Sequence, residues 1–156
     1  MDDIKVGFTG TQRGMTRDQM NRLASVLDVL FPNGTGEFHH GDCIGADSEV
    51  HAIVREKFPQ VTIIGHPCTI TSKRAFRKCD QERTILPPLV RNKKIVSETD
   101  LMVACPQGHY EELRSGTWST VRHARKMNRK VILVTPRTKT IHRSVSVIAV
   151  RFMNLD

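Results

Sequence analysis

The chain has 156 residues, which is enough for one domain whose core needs no disulfide or structural metal to stabilise it. Lys and Arg number 24 against 16 Asp and Glu, and the formal net charge of +8 favours phosphorylated or polyanionic partners. The four cysteines contain no CxxC pair, which argues against a secreted disulfide framework, so we expect reduced thiols. The apolar runs are far below membrane-spanning length, which argues against a membrane protein, and we expect a cytoplasmic location.

The first predicted elements are a strand and a helix joined by a glycine-bracketed loop. Residues 4–9 are rich in β-formers and lead into the loop GTQRG, residues 10–14. Thr16 and Gln19 then match a capping box, in which each side chain accepts a hydrogen bond from the other residue's backbone N–H. The helix that follows has apolar residues at three- and four-residue spacing and stops at the PNG run, residues 32–34.

The next predicted elements surround the glycine-rich turn GDCIGAD, residues 41–47. A short strand around residues 37–40 leads into this turn, and a helix with one apolar side runs from it to about residue 58. A third strand, residues 61–65, is nearly all apolar, as expected for a strand buried on both faces. The order β-α-β-α-β predicts a parallel sheet with right-handed crossovers.

The second half of the chain adds two predicted strands. A polar, basic loop at 68–88 precedes a helix at 89–97 and a strand at 100–106, and a polar loop at 107–114 precedes a helix that opens at Ser115 and a strand at 130–135. Residues 137–156 form a C-terminal extension, in which the alternating stretch 145–152 is a candidate edge strand. We therefore predict one α/β domain with a mainly parallel sheet of about five strands and helices on both faces.

Three glycine-containing turns are expected to meet at one edge of this sheet. They are residues 10–14, 41–47 and 115–117, and each combines glycine with hydroxyl, amide or charged groups. Loops that follow parallel strands gather at the carboxyl edge, where open α/β sheets bind ligands, and helix N-termini there present free N–H groups to an anion. The sequence thus predicts a site for a phosphate-bearing ligand. The absence of GxxxxGK(S/T) and of GxGxxG argues against an ordinary NTPase or a dinucleotide dehydrogenase.

Individual side chains in these turns suggest roles and leave alternatives open. Asp42, beside a glycine at a strand end, is well placed to accept a hydrogen bond from a ribose hydroxyl. Asp47 is a second candidate for this role, or it stabilises a helix dipole. Arg13 suits bidentate recognition of a phosphate. His66 is a candidate general acid or base, or it packs and hydrogen-bonds to the backbone.

The sequence predicts no cofactor and no metal. Five histidine and cysteine residues lie at the ends of the second and third strands, which are side by side in a parallel sheet, but their spacing does not match that of zinc ligands. These residues are His39, His40, Cys43, His66 and Cys68.

The motifs and their order resemble one branch of a known superfamily. They are, in chain order, GFTGTQRG, HHGDCIGAD, HP, LVRNKKIV, DLMVACP and SGTWSTVRHARKMNRKVILV. Over residues 4–134 this arrangement is similar to the YspA-type branch of the SLOG superfamily, which is named for the Smf/DprA and Lonely-guy proteins. The resemblance implies a Rossmann-like domain over residues 1–136 that binds a nucleotide, an ADP-ribose-type molecule or a cyclic nucleotide. It also implies a homodimer, because many members pair through helices.

The resemblance further implies positions for the parts of the ligand. Phosphate is expected near Gly116 and Thr117, with Arg91 and Asn92 beside it, and sugar or base contacts are expected in the first two glycine-containing turns. The predicted ligand-binding residues are Gly10, Thr11, Arg13, Gly41, Asp42, Gly45, Ala46, Asp47, His66, Arg91, Asn92, Pro106, Ser115, Gly116 and Thr117.

One departure from the family bears on catalysis. Lonely-guy phosphoribohydrolases carry PGGxGTxxE, whose glutamate assists glycosidic cleavage, and the corresponding run here, SGTWST, contains no acid. We therefore predict a sensor or sequestering protein for a nucleotide-derived molecule, with no catalytic residue assigned. The alternative is a nucleoside 5'-phosphate N-glycosidase that uses another carboxylate, Asp42 or Asp47. Glu111 and Glu112 lie in the preceding loop, where such side chains are more often solvated.

A further alternative is single-stranded nucleic-acid binding through the basic loop at 73–78. The related Smf/DprA proteins favour it, but six Phe, one Tyr and one Trp supply few platforms on which bases can stack. Nucleic acid is therefore a less favoured partner than a small molecule.

Overall fold

The first helix begins at the capping box that the sequence predicts. Thr16 Oγ1 accepts a hydrogen bond from the Gln19 N–H (3.0 Å), and Gln19 Oε1 accepts one from the Thr16 N–H (3.3 Å). The structure is a computed structural model that describes residues 3–136. Its helices are α1 (Arg17–Leu30), α2 (Ala46–Lys57), α3 (Pro88–Glu98) and α4 (Gly116–Lys126), with a short 3-10 turn at Thr71–Lys73. Its strands are β1 (Lys5–Gly10), β2 (Glu37–His40), β3 (Thr62–Gly65), β4 (Gln81–Glu82), β5 (Leu101–Cys105) and β6 (Lys130–Leu133).

These strands are all parallel and form one sheet in the order β4-β3-β2-β1-β5-β6. The chain moves outward from β1 through β2 and β3 to β4, and α3 then carries it back to β5 on the other side of β1. The loops after β1 and β5 therefore diverge at the carboxyl edge. This point is where the strand order reverses and where open α/β sheets bind ligands.

Helices cover both faces of the sheet, which confirms the predicted α/β architecture. The apolar sides of α1 and α2 share one buried cluster with Phe8, Phe38 and Val103 of the strands. On the other face, Ile95 of α3 joins Met102 of β5 in a second cluster. Met102 and Val103 point to opposite faces because side chains alternate along a strand.

The sheet has six strands rather than the five expected, because a short strand lies in the segment predicted as a loop. β4 consists of Gln81 and Glu82, which pair with Ile64 and Gly65 of β3. Both residues of β4 are exposed and polar, so no alternating or apolar pattern marks the strand. The predicted edge strand at 145–152 and the rest of the extension 137–156 lie outside the described residues.

Two further expectations concern membranes and thiols. Within residues 3–136, no helix has the length and the apolar character needed to cross a membrane. All four cysteines are free thiols, as expected.

Gln19 ties α1 to the carboxyl ends of β5 and β6. Its side chain is almost fully buried, and Nε2 donates hydrogen bonds to the carbonyl oxygens of Pro106 (2.9 Å) and Val134 (2.7 Å). A buried amide needs such partners, because an unpaired one loses the hydrogen bonds that water would supply. The start of α1 is therefore held against the loop that follows β5.

Gly45 marks the point where the turn after β2 meets the loop after β1. Its φ is 85°, in the left-handed region, and a Cβ added there would lie 2.3 Å from the carbonyl oxygen of Gln12. Beside it, the Ala46 N–H donates to the carbonyl oxygen of Thr11 (2.9 Å). Only glycine permits both the backbone conformation and this close approach.

We expect Gly45→Ala to lower the free energy of unfolding by about 2–4 kcal/mol, because it adds a steric clash to backbone strain. Gly34→Ala is the matched control, since Gly34 also has a positive φ (73°) but a Cβ there meets nothing within 4 Å. The control should lose only about 1 kcal/mol. Urea unfolding of both variants measures the difference, and equal losses would contradict the proposed close approach.

Candidate functional site

A cavity of about 580 Å³ lies at the carboxyl edge of the sheet, where β1 and β5 end. Its walls come from the loop after β1, the turn after β2, the start of α3 and the loop that leads into α4. Ten of the predicted ligand-binding residues line it: Gly10, Thr11, Arg13, Gly41, Asp47, Arg91, Asn92, Ser115, Gly116 and Thr117. Tertiary structure thus brings together residues from all three glycine-containing turns.

The N-terminus of α4 opens directly onto this cavity. Ser115 is the N-cap, and its Oγ accepts a hydrogen bond from the Trp118 N–H (3.2 Å). Gly116 and Thr117 follow in the first turn and line the cavity, and a Cβ added to Gly116 would meet nothing within 4 Å. The first N–H groups of a helix have no intrahelical acceptor, and the helix dipole makes this end attractive to an anion.

The sequence predicts that the N-termini of α1 and α2 also face the ligand, and here the structure differs. The start of α1 is capped by Thr16 and Gln19, and none of the residues 16–19 lines the cavity. At the start of α2, the Ala46 N–H donates a hydrogen bond to the Thr11 carbonyl oxygen, and Ala46 itself is fully buried. The start of α3 takes their place, since Pro88 and Leu89 line the cavity and no side chain caps that helix.

Asp47 and Arg91 organise the turn after β2. Asp47 Oδ2 accepts hydrogen bonds from the N–H groups of Gly41 and Cys43, both at 3.1 Å. The Arg91 guanidinium donates to the carbonyl oxygens of Gly41 and His66 and approaches the Cys43 sulfur (3.4 Å). Both side chains therefore hold the backbone of the turn in addition to lining the cavity.

Burial governs the ionisation of two groups in this turn. It raises the pKa of Asp47 to about 6, although the positive charge of Arg91 acts in the opposite direction. It also raises the pKa of the Cys43 thiol to about 11, so this cysteine is a neutral thiol at neutral pH.

Asp42 lies outside the cavity, although the sequence analysis assigned it to the sugar. Its φ is 53°, and this left-handed conformation turns its carboxylate toward the segment 74–77. Oδ1 accepts a hydrogen bond from the Arg77 N–H (2.9 Å), and Oδ2 pairs with the Arg74 guanidinium (3.3 Å). The carboxylate is 1% exposed, so its contacts are with the protein.

The other predicted residues outside the cavity have structural contacts. Gly45 and Ala46 join two loops, and the Pro106 carbonyl accepts a hydrogen bond from Gln19. The His66 ring is buried against His39, with 2.8 Å between Nε2 and Nδ1.

Several cavity residues were not assigned to the site from the sequence. They include the apolar residues Phe8, Leu89 and Ile95 and the polar or charged residues Gln12, Lys73, Gln107, Glu112 and Arg114. Arg114 directly precedes Ser115, the N-cap of α4. This position beside a predicted ligand-binding residue could have identified Arg114 from the sequence. Lys73 comes from the 3-10 turn, and nothing in the local sequence indicates that this turn lies at the cavity.

Solved structures with this fold support the Rossmann-like architecture. The molybdenum cofactor binding protein from the phototrophic bacterium Rippkaea orientalis matches with a TM-score of 0.62 and 20% identity, over 97% of this chain and 86% of that one. The structural-genomics target TM1055 matches with a TM-score of 0.57 and 18% identity, over 82% of this chain and 72% of that one. No protein-family model matches the sequence, and the search of curated proteins found no match.

We expect Asp47→Asn to change the pH dependence of stability. The folded protein keeps the Asp47 proton up to about pH 6, whereas the unfolded chain releases it near 3.8. Between these values the folded state binds more protons, so the free energy of unfolding falls as the pH rises, by up to about 3 kcal/mol.

The Asp47→Asn variant has no titrating group at this position, so its free energy of unfolding lacks this dependence on pH. We compare the free energies of unfolding of wild type and variant by urea unfolding at pH 4, 5 and 6. Over this range the difference should change by about 2 kcal/mol in favour of the variant as the pH rises, because part of the full effect lies below pH 4 and above pH 6. A constant difference across these pH values would show that Asp47 has no raised pKa.

Proposed function

We propose that this chain binds a phosphate-bearing, nucleotide-derived small molecule in the cavity and acts as a sensor or sequestering protein. The observation that carries the proposal is the uncovered N-terminus of α4 at the switch point of the sheet, with Gly116 facing open space. Such an N-terminus binds phosphate through backbone N–H groups and the helix dipole.

The charges around the cavity support an anionic ligand. Arg13, Lys73, Arg91 and Arg114 line it, against the carboxyl groups of Asp47 and Glu112. The guanidinium of Arg91 is already committed to backbone carbonyls, so the more exposed Arg13 and Arg114 are the proposed mobile contacts to phosphate.

The apolar part of the cavity supports a ligand with a flat heterocycle. Phe8, Leu89 and Ile95 line it, and a volume of about 580 Å³ lies within the range of small-molecule sites. We propose that a base lies against these side chains, while the phosphate lies at Gly116 and Thr117. The resemblance to the SLOG superfamily favours the same arrangement.

One of the structures with a similar fold suggests molybdenum cofactor as a further candidate ligand. The neighbour from Rippkaea orientalis is a molybdenum cofactor binding protein. The organic part of molybdenum cofactor contains a fused heterocycle and a phosphate group. A ligand with these two parts suits the apolar and anion-binding ends of this cavity. We therefore include molybdenum cofactor among the candidates beside nucleotides, ADP-ribose-type molecules and cyclic nucleotides.

A second candidate function is cleavage of the N-glycosidic bond of a nucleoside 5'-phosphate. The observation that favours it is Glu112, which lines the cavity although the acid of the Lonely-guy motif is missing. A carboxyl group there is available to assist departure of the base. Asp42, an earlier candidate for this role, has its carboxylate bound to Arg74 and Arg77 instead.

We expect thermal-shift screening to identify the ligand class. A ligand at a hundred times its dissociation constant stabilises the protein by about 2.7 kcal/mol, a rise in Tm of about 5–10 °C at this length. Gly116→Asp should abolish the shift through charge repulsion, because an aspartate fits the open space and suits a helix start.

Ser119→Asp is the matched control, since it adds the same charge to the same helix at a residue that does not line the cavity. It should retain the shift. Ligand affinity that survives Gly116→Asp would mean that phosphate does not bind at the start of α4.

We expect mass spectrometry of each positive sample to separate binding from turnover. Intact ligand supports the sensor or sequestering protein, whereas free base and ribose phosphate support the N-glycosidase. In the second case Glu112→Gln should slow release by about 100-fold or more while binding persists. An unchanged rate in that variant would exclude Glu112 as the catalytic acid.

A further inference from the structure

The two adjacent histidines of β2 point to opposite faces of the sheet. His40 meets His51 of α2, with 2.9 Å between Nε2 and Nδ1. His39 lies on the other face and meets His66, with 2.8 Å between Nδ1 and Nε2. Side chains alternate along a strand, so the histidines that adjoin in sequence belong to two separate clusters.

In the cluster on the α2 face, which consists of His40, His51 and Cys79, the His40 nitrogen that faces the other two residues has no lone pair to offer a metal. The Asp42 N–H donates to His40 Nδ1 (2.8 Å), so that nitrogen carries no proton. A neutral His40 must therefore hold its proton on Nε2, the nitrogen that faces His51 and Cys79. Metal binding through His40 would require an imidazolate, and we interpret this cluster as a hydrogen-bonded network.

The cluster on the opposite face has the reverse arrangement. Glu37 Oε1 accepts a hydrogen bond from His39 Nε2 (2.8 Å), so the proton of His39 is on Nε2 and the lone pair is on Nδ1. A carboxylate that holds one nitrogen of a histidine while the other faces a metal is the usual support of a histidine ligand. His39 and His66 are both buried, which fixes the direction of their rings.

Glu98, the last residue of α3, adds an oxygen without a partner to this second cluster. Its Oε1 accepts a hydrogen bond from Arg83 Nε (2.8 Å), whereas Oε2 is buried and has no hydrogen-bond partner. A buried carboxylate oxygen that has lost its water is unfavourable unless a donor or a cation replaces that water.

We propose that His39 Nδ1, His66 Nε2 and Glu98 Oε2 bind a divalent transition-metal ion of the zinc class, at a site separate from the cavity. The three residues place ligand atoms within 4.8 Å of one another, and none of them lines the cavity. Two imidazole nitrogens and one carboxylate oxygen suit Zn²⁺ better than Ca²⁺ or Mg²⁺, which prefer oxygen ligands.

Binding requires only small movements. Ligand atoms of a tetrahedral zinc ion are about 3.3 Å apart, so the two imidazoles would separate slightly and the Glu98 side chain would close in. The ring proton of His66 moves from Nε2 to Nδ1, which frees the lone pair of Nε2 without changing the charge of the ring. A fourth coordination position remains for water.

The test adds Zn²⁺ to the full chain after treatment with a chelator and measures stoichiometry and affinity by competition with a chromophoric chelator. We expect one Zn²⁺ per chain. Glu98→Gln should weaken binding at least about tenfold, and His66→Gln about 100-fold or more. Glutamine at position 98 can still accept the hydrogen bond from Arg83, so the variant should keep the fold, which circular dichroism checks.

Two controls separate this site from other metal binding. Glu111→Gln removes a glutamate that pairs with Arg122 as Glu98 pairs with Arg83, and it should leave the affinity unchanged. Cys79→Ser alters the cluster on the α2 face and should also have no effect. The proposal is overturned if Zn²⁺ does not bind saturably, if Glu98→Gln binds as tightly as wild type, or if Cys79→Ser abolishes binding.

Nitrogen NMR of the histidine rings gives a readout that a purely structural cluster would not change. On addition of Zn²⁺, His66 should convert from the Nε2–H to the Nδ1–H tautomer, while His39 keeps its proton on Nε2. Unchanged tautomers at saturating Zn²⁺ would show that the metal binds elsewhere.

Discussion

The buried guanidinium of Arg91 is the contact on which the geometry of the cavity depends. It donates to the carbonyl oxygens of Gly41 and His66, so one side chain of α3 joins the turns that follow β2 and β3. Its Nε donates to Asn92 Oδ1 (2.7 Å), and Asp47 supplies a nearby negative charge. A buried charge is tolerated when it is hydrogen-bonded in this way. Arg91 therefore holds α3 and the turns after β2 and β3 in position before any ligand enters.

The parallel sheet explains why the polar loops and the cavity lie at one edge of the sheet. The loops after β1 and β5 diverge at the switch point, and the space between them is the cavity. The same regular geometry separates His39 from His40, because alternate side chains of β2 enter different layers. One strand thus contributes to two chemically distinct clusters, and of these two the cluster that includes Glu98 has an unpartnered buried oxygen close to its histidine nitrogens.

Most of the fold was predictable because its signals are local. The capping box of Thr16 and Gln19, the apolar spacing of α1 and the apolar run that contains β3 each depend on residues close together in sequence. The strand β4 had no such signal, since Gln81 and Glu82 are exposed and polar and pair only because β3 lies beside them. The convergence of the glycine-containing turns was also predictable, since it follows from the parallel order of the strands.

The roles of individual side chains at the site depended on contacts between distant parts of the chain. Asp42 and Asp47 flank one turn, and the sequence favoured Asp42 for a ribose contact. In the structure Asp42 binds Arg74 and Arg77, while Asp47 lines the cavity. The local pattern was enough for the four helices and five of the six strands within residues 3–136, and for the edge of the sheet at which the cavity lies. Which carboxylate faces the cavity was decided by tertiary structure, because the backbone angles of a turn and partners some thirty residues away set the direction of each side chain.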